Sequence, residues 1–118
     1  MTNENEIFKG EILEGFAVSG EYVSNLKDKS AIIIKVPHYE SFPDPDHEGQ
    51  TLKKLVLRIE LSDKAQMDYY PNGTSRKEMG NAWGVLLEKW LSKRFEFEIV
   101  KQKVRGMDKL VLFAKALK

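Results

Sequence analysis

Residues 75–91 read Ser-Arg-Lys-Glu-Met-Gly-Asn-Ala-Trp-Gly-Val-Leu-Leu-Glu-Lys-Trp-Leu. Met79, Ala82, Trp83, Leu86, Leu87, Trp90 and Leu91 recur at i, i+3, i+4, i+7, i+8, i+11 and i+12, which is one face of an α-helix. Ser75 with Glu78 three residues on predicts a capping box. Gly80 and Gly84 each cost about 1 kcal/mol against alanine, and Gly84 is where the helix would split. No other stretch has this period. The chain is therefore predicted to place one amphipathic helix, with Trp83 and Trp90 on its core face, among strands.

Immediately upstream, Leu52 to Leu61 alternates. Leu55, Leu57, Ile59 and Leu61 share one face, and Lys54, Val56, Arg58 and Glu60 the other, the period of a strand with one buried side. Ser62-Asp63-Lys64 turns the chain, and Ala65 to Tyr70 makes a short partner strand. Further back, Ala31 to Tyr39 is apolar and β-branched, a second strand that Pro37 should end or hold at an edge. Ile7 to Val23 carries loosely spaced apolar residues broken by Gly10, Gly15 and Gly20, which predicts a long first strand with bends. Residues 40–50 contain two prolines and four acids and predict an acidic loop. Residues 1–6 predict a disordered tail. Downstream, Phe95, Phe97 and Ile99 alternate with charged residues, Leu110, Leu112, Ala114 and Ala116 form a matching run, and Gly106 lies in the turn between.

The predicted order is β-β-β-α-β-β. A helix between the third and fourth strands that plugs the end of a barrel is the arrangement of a five-stranded OB-like barrel, mainly β, with residues 7–118 as a single domain. An α+β roll and a split sandwich fit the same string.

Composition bounds the rest. The chain has 118 residues, 42% apolar and 31% charged, a length and composition for one globular core. It has no cysteine, which excludes disulfides and thiolate metal sites. The polar start lacks the basic head and apolar run of a signal peptide, and no apolar run approaches a membrane span, so a cytoplasmic setting without membrane contact is expected. The net charge of +1 hides an asymmetry. Residues 1–50 hold four Lys/Arg against ten Asp/Glu, and residues 51–118 hold fifteen against eight. Such a chain presents a basic face unless its halves interleave.

Tyr70-Pro71-Asn72-Gly73-Thr74-Ser75, Gly84 and Trp90-Leu91-Ser92-Lys93 ahead of a closing hairpin resemble a group of small archaeal and viral proteins. These share a Pro-Asn-x-Thr-Ser turn and a Trp-x-x-Lys entry into the last strands. The resemblance covers residues 52–118. It implies an OB-like fold and, with it, single-stranded nucleic-acid binding.

The residues point the same way. Lys101, Lys103, Arg105 and Lys109 lie in or beside the last turn, the position of one of the two loops that grip an oligonucleotide in an OB barrel. Lys27 and Lys29 are assigned to the other loop, and Lys35, Lys54 and Arg58 to the face between. Cations so placed neutralise phosphates. Base stacking needs flat exposed rings, and Tyr22, Tyr39, Phe42, Tyr69 and Tyr70 are available, with Tyr69 and Tyr70 preferred because one of two adjacent residues on a strand faces outward. His38, His47, Asp44, Asp46 and Glu48 lack the spacing of a calcium loop or a zinc helix, so no metal or other cofactor is expected. The acidic loop could instead mimic phosphates and cover the basic face. No nucleophile–base pair or glycine-rich phosphate loop is present, so no enzyme is expected. The reading is thus a single-stranded nucleic-acid-binding protein, of DNA or else RNA. The alternative is a non-enzymatic assembly module, possibly a homodimer, pairing through the Leu52–Leu61 or Leu110–Leu117 strand.

Overall fold

The computed structural model describes residues 12–117. The protein is mainly β. Its elements are β1 (Ile12–Ala17), α1 (Gly20–Ser24), β2 (Ser30–Ile33), β3 (His38–Pro43), β4 (Thr51–Leu61), β5 (Gln66–Tyr69), α2 (Gly73–Trp83), a 3₁₀ turn (Leu87–Trp90), β6 (Arg94–Val104) and β7 (Met107–Ala116). One sheet has the order β1-β5-β4-β2-β6-β7, with β3 paired to the outer half of β4. β1 runs parallel to β5, and every other pairing is antiparallel.

Alternation builds the core. Leu55, Leu57, Ile59 and Leu61 of β4 are buried as their period demands, and they meet Ala31 and Ile33 of β2, Met67 and Tyr69 of β5, Phe95 and Phe97 of β6, and Leu112 and Ala114 of β7. Tyr69, Phe95 and Phe97 pack ring against ring at 4.9–5.7 Å. Offset and edge contacts of this kind add to the area they bury.

The strand path has two ends, at β1 and β7, and does not close into a hydrogen-bonded barrel among the described residues. The start of α2 bridges the gap. Asn72 Nδ2 donates to Leu112 O at 3.2 Å, and the Ala114 N–H donates to Ser75 Oγ at 2.9 Å. These two contacts satisfy backbone groups that β7, as an edge strand, would leave unpaired. On the other side of the gap α1 backs directly onto β7. A Cβ on Gly20 would lie 2.7 Å from both Leu110 Cβ and Leu110 O, so only glycine fits.

Several expectations are corrected. Residues 20–24 are helix, not strand, because Ser19 Oγ accepts from the Tyr22 N–H at 3.1 Å and caps a short turn. Residues 7–11 and the tail at 1–6 lie outside the described residues. Strand two stops at Ile33, and after the buried Pro37 a separate strand, β3, begins. β3 pairs from His38↔Val56 to Pro43↔Thr51, so residues 40–43 of the expected acidic loop are strand and only 44–50 form the turn. Pro43 is tolerated because it ends an edge strand.

Asn72, not Ser75, caps α2, with its Oδ1 accepting from the Ser75 N–H at 2.9 Å. The Ser75 hydroxyl is turned to Ala114 instead. Gly84, at φ +89°, ends the helix. Trp90 is buried, donates its indole N–H to Gly84 O at 2.9 Å and meets the half-buried Trp83 edge-on. Leu86 and Leu91, expected in the core, are exposed because the helix has already broken. No helix of the described residues is long and apolar enough to cross a membrane.

Candidate functional site

Two hairpins project beyond the shared sheet. The first is β3 with residues 51–56 of β4, closed by the turn 44–50. The second is the distal part of β6 and β7, which continue to pair with each other as far as Val104↔Met107, beyond the contact of β6 with β2. Its turn is only Arg105-Gly106, both at positive φ (+53° and +79°). That is the two-residue turn that suits strand twist, and its first position favours asparagine, aspartate or glycine. Lys101 and Lys103 therefore stand on β6, and Lys109 on β7, rather than in a nine-residue loop.

The turn of the first hairpin is acidic and locally organised. Asp44 Oδ1 accepts from the Asp46 N–H at 2.9 Å, and Asp44 Oδ2 lies 3.0 Å from His47 Nδ1. Asp46 and Glu48 remain exposed. The described residues contain no group of three or more histidine or acidic side chains placed to hold a metal. The two hairpins meet at their turns, where Arg105 Nη2 is 3.7 Å from Asp46 Oδ1.

An aromatic and cationic cluster is built on the first hairpin around Phe42, one residue pair in from the turn-closing pair Pro43↔Thr51. The Phe42 ring meets Tyr70 edge-on at 5.5 Å, and Lys54 Nζ stands 5.4 Å from the Phe42 centroid. Phe42 and Tyr70 are both half-buried. Partial burial raises the Tyr70 hydroxyl above its ordinary ionisation range, with Asp68 and Glu40 adding to the effect and Arg58 opposing it. Tyr39 is exposed on the same strand as Phe42. In sequence Phe42 lies among the acids of residues 40–50, which argues against it as a phosphate-side ring. The usable signal was the period of two across Glu40 and Phe42, which puts the ring opposite Leu52 on β4.

The remaining predicted residues divide. Arg58 sits directly across from Asp68, and its Nε donates to Asp68 Oδ1 at 2.7 Å, with both side chains largely buried. That guanidinium is committed to a carboxylate and is withdrawn from the list of open phosphate contacts. Lys35 is exposed and lines a small pit of about 140 Å³ beside this pair, with Val36, His38 and Val56. Tyr69 is 3% exposed, within the core, and cannot stack on a base. Its hydroxyl is buried and has no hydrogen-bond partner of ordinary geometry among the described residues. Burial pushes its ionisation up to about 12, with Ser75 pulling the other way.

Lys27 and Lys29 lie in the turn from α1 into β2, outside both hairpins, and Lys29 Nζ donates to Leu26 O at 2.8 Å. The link between β2 and its neighbour β4 contains β3, and neither lysine stands in it. Tyr22, a further stacking candidate, gives its hydroxyl to Asp63. Lys101 stands 3.6 Å from Asp108, Lys103 is exposed, and Lys109 reaches the mouth of a cleft of about 530 Å³ between Val18–Glu21, Tyr70 and Leu110.

The structure thus brings together Lys54, Tyr70 and the previously discounted Phe42, and it joins the hairpin of Lys101, Lys103, Arg105 and Lys109 to them through the contact of the two turns. Comparison with protein-family models, curated proteins and solved structures gives no match.

Proposed function

We propose that this protein binds single-stranded nucleic acid, DNA in the first place, along the track between its two hairpins, and that it does so without catalysis. The observation that carries the reading is the ring pair Phe42–Tyr70 with Lys54 at its side, Phe42 standing near the turn of one hairpin and that turn touching the cationic turn of the other. Rings give each base a surface to stack on without regard to sequence, and lysines on the flanking strands meet the phosphates.

The sheet order supports an OB-type frame. Without β1 and β3 it is β5-β4-β2-β6-β7. Numbered by sequence, that is 3-2-1-4-5, with α2 between the third and fourth strands. An OB ring opened between its third and fifth strands has this order, and the fold is known in partly open form. In that frame the two hairpins are the two loops that flank an oligonucleotide.

Titration of a labelled oligothymidylate at low and at physiological salt tests the proposal. Binding should be evident at low salt and weaken by about ten-fold or more at physiological salt, as counterion release requires. Absence of binding at low salt overturns it. An oligouridylate run in parallel tells DNA from RNA.

The alternative, self-association, draws on a different surface from the strands first considered. β4 has partners along its whole length. Val85 and Leu86 just after α2 are instead 89% and 56% exposed, with Leu91 close in sequence. Light scattering of the wild type and of Val85→Ser/Leu86→Ser distinguishes a dimer through this apolar knuckle from a monomer.

A further inference from the structure

The turn at 44–50 carries Asp44, Asp46 and Glu48, and the opposing hairpin carries Lys101, Lys103, Arg105 and Lys109 against a single acid, Asp108. Formal charges of −3 and +3 therefore face each other where the two turns meet. The contact is made by side chains that are mostly in water, 81% exposed for Arg105 and 68% for Asp46. A pair of that kind contributes little to fold stability. Nothing in the core requires it, yet it places a carboxylate against the outermost cation of the hairpin.

The backbone beneath Arg105 sharpens the point. It occupies the first position of its turn at φ +53°, in the left-handed region where a long side chain is uncommon. Asparagine or glycine would form the same turn at lower cost. Strained positions of this kind concentrate where a side chain is used. The use visible in the structure is the reach from the tip of one hairpin to the carboxylate of the other.

We infer that the acidic turn is a built-in competitor: Asp46 and Glu48 stand in for two phosphates, hold the basic hairpin when no strand is bound, and must be displaced before a strand can enter. The inference rests on the nucleic-acid reading and deepens it. A carboxylate shares the negative charge and acceptor geometry of a phosphate oxygen, so Arg105 exchanges one for the other when a strand arrives. A weak competitor suits this role, because it lowers affinity for any short or poorly stacked ligand while a longer strand, with several phosphates, still displaces it. The device therefore selects for length rather than sequence.

The test is affinity for a labelled oligothymidylate in three chains: wild type, Asp46→Asn/Glu48→Gln, and Glu78→Gln/Glu88→Gln. The last pair removes the same two charges from α2 and the 3₁₀ turn, outside both hairpins. Neutralising the turn should tighten binding roughly 3- to 5-fold at low salt, the upper range of an exposed ion pair released from competition. The control should change it less than about two-fold. The backbone amide of Gly106, followed by NMR without ligand, should shift in Asp46→Asn and stay in place in the control. Equal gains in both double variants, or weaker binding in the turn variant, overturn the competitor while leaving the binding function intact. An unmoved Gly106 amide also overturns it. Failure of the wild type to bind at low salt overturns the function itself, and the competitor with it.

Discussion

Both hairpins leave the same sheet, but they differ in what they carry. The β3–β4 hairpin has an acidic turn and, one residue pair in from it, a ring, Phe42, that packs on Tyr70 beside Lys54. The outer part of the β6–β7 hairpin, residues 100–112, has no aromatic residue and holds four cations on its strands and turn. Shape is shared and chemistry is divided. On the proposed function, one hairpin would supply a stacking surface and a competitor and the other counter-charge, so that a bound strand would draw on both.

Reversing the basic hairpin with Lys101→Glu/Lys103→Glu/Arg105→Glu should break the comparison most severely. Affinity for an oligothymidylate should fall by roughly 100-fold or more, and the slope of affinity against salt should flatten. The melting temperature should stay close to wild type, because all three side chains are exposed. A retained affinity would place the strand elsewhere.

Removing a ring from the other hairpin is the complementary change. Phe42→Ala and Tyr70→Ala should each weaken binding by about 1–3 kcal/mol, the scale of one lost base stack, with the salt slope unchanged. A change in slope without loss of affinity would show that the cluster meets phosphate rather than base.

The seam of the sheet gives the next contrast, since it should matter for stability and not for binding. Asn72→Ala removes both the cap of α2 and the bond to Leu112 O, and should cost about 1–2 kcal/mol in urea unfolding. Oligonucleotide affinity of the folded protein should not change.

Tyr69→Phe should produce the smallest shift, and in the opposite direction. It deletes a buried hydroxyl without a partner, so stability should hold or rise by about 1 kcal/mol. The pH dependence follows from the same burial. With the folded-state ionisation pushed up to about 12 from the ordinary 10, the contribution is intact below pH 10 and is lost as pH climbs towards 12. Tyr69→Phe should therefore remove about 2–3 kcal/mol of that alkaline loss, measured by urea unfolding across the range.

Residues with a strict period were legible in the sequence. The alternation of Leu55 to Leu61 gave the central strand, and Phe95 to Ile99 with Leu110 to Ala116 gave the last hairpin, because burial on one face leaves a mark at every second position. What the sequence concealed depended on long-range partners. Ser75 looks like a cap until Ala114, 39 residues away, claims its hydroxyl. Leu86 and Leu91 look like core until the break at Gly84 rotates them out. Arg58 looks like a phosphate contact until its strand partner proves to be Asp68. Phe42 is concealed by charge: Glu40 does share its face of the strand, but so does Lys54 across the ladder, and the Tyr70 ring that meets it is 28 residues away in sequence. Three of the four cations of the last hairpin stand on its strands, a placement that only the two-residue turn reveals.

The position of β2 has a consequence for synthesis. This four-residue strand sits between β4 and β6, with Ile32 opposite both Glu60 and Arg94. A ribosome delivers the first of these flanks before β5 and α2 and the second only after them. Until β6 emerges, then, one side of the sheet's middle strand has nothing to pair with, and the apolar side chains of β2 and β4 wait for Phe95 and Phe97 to cover them. Folding should be rate-limited by that late, distant docking, and a chain released before residue 104 should be prone to aggregate however well its first half is formed.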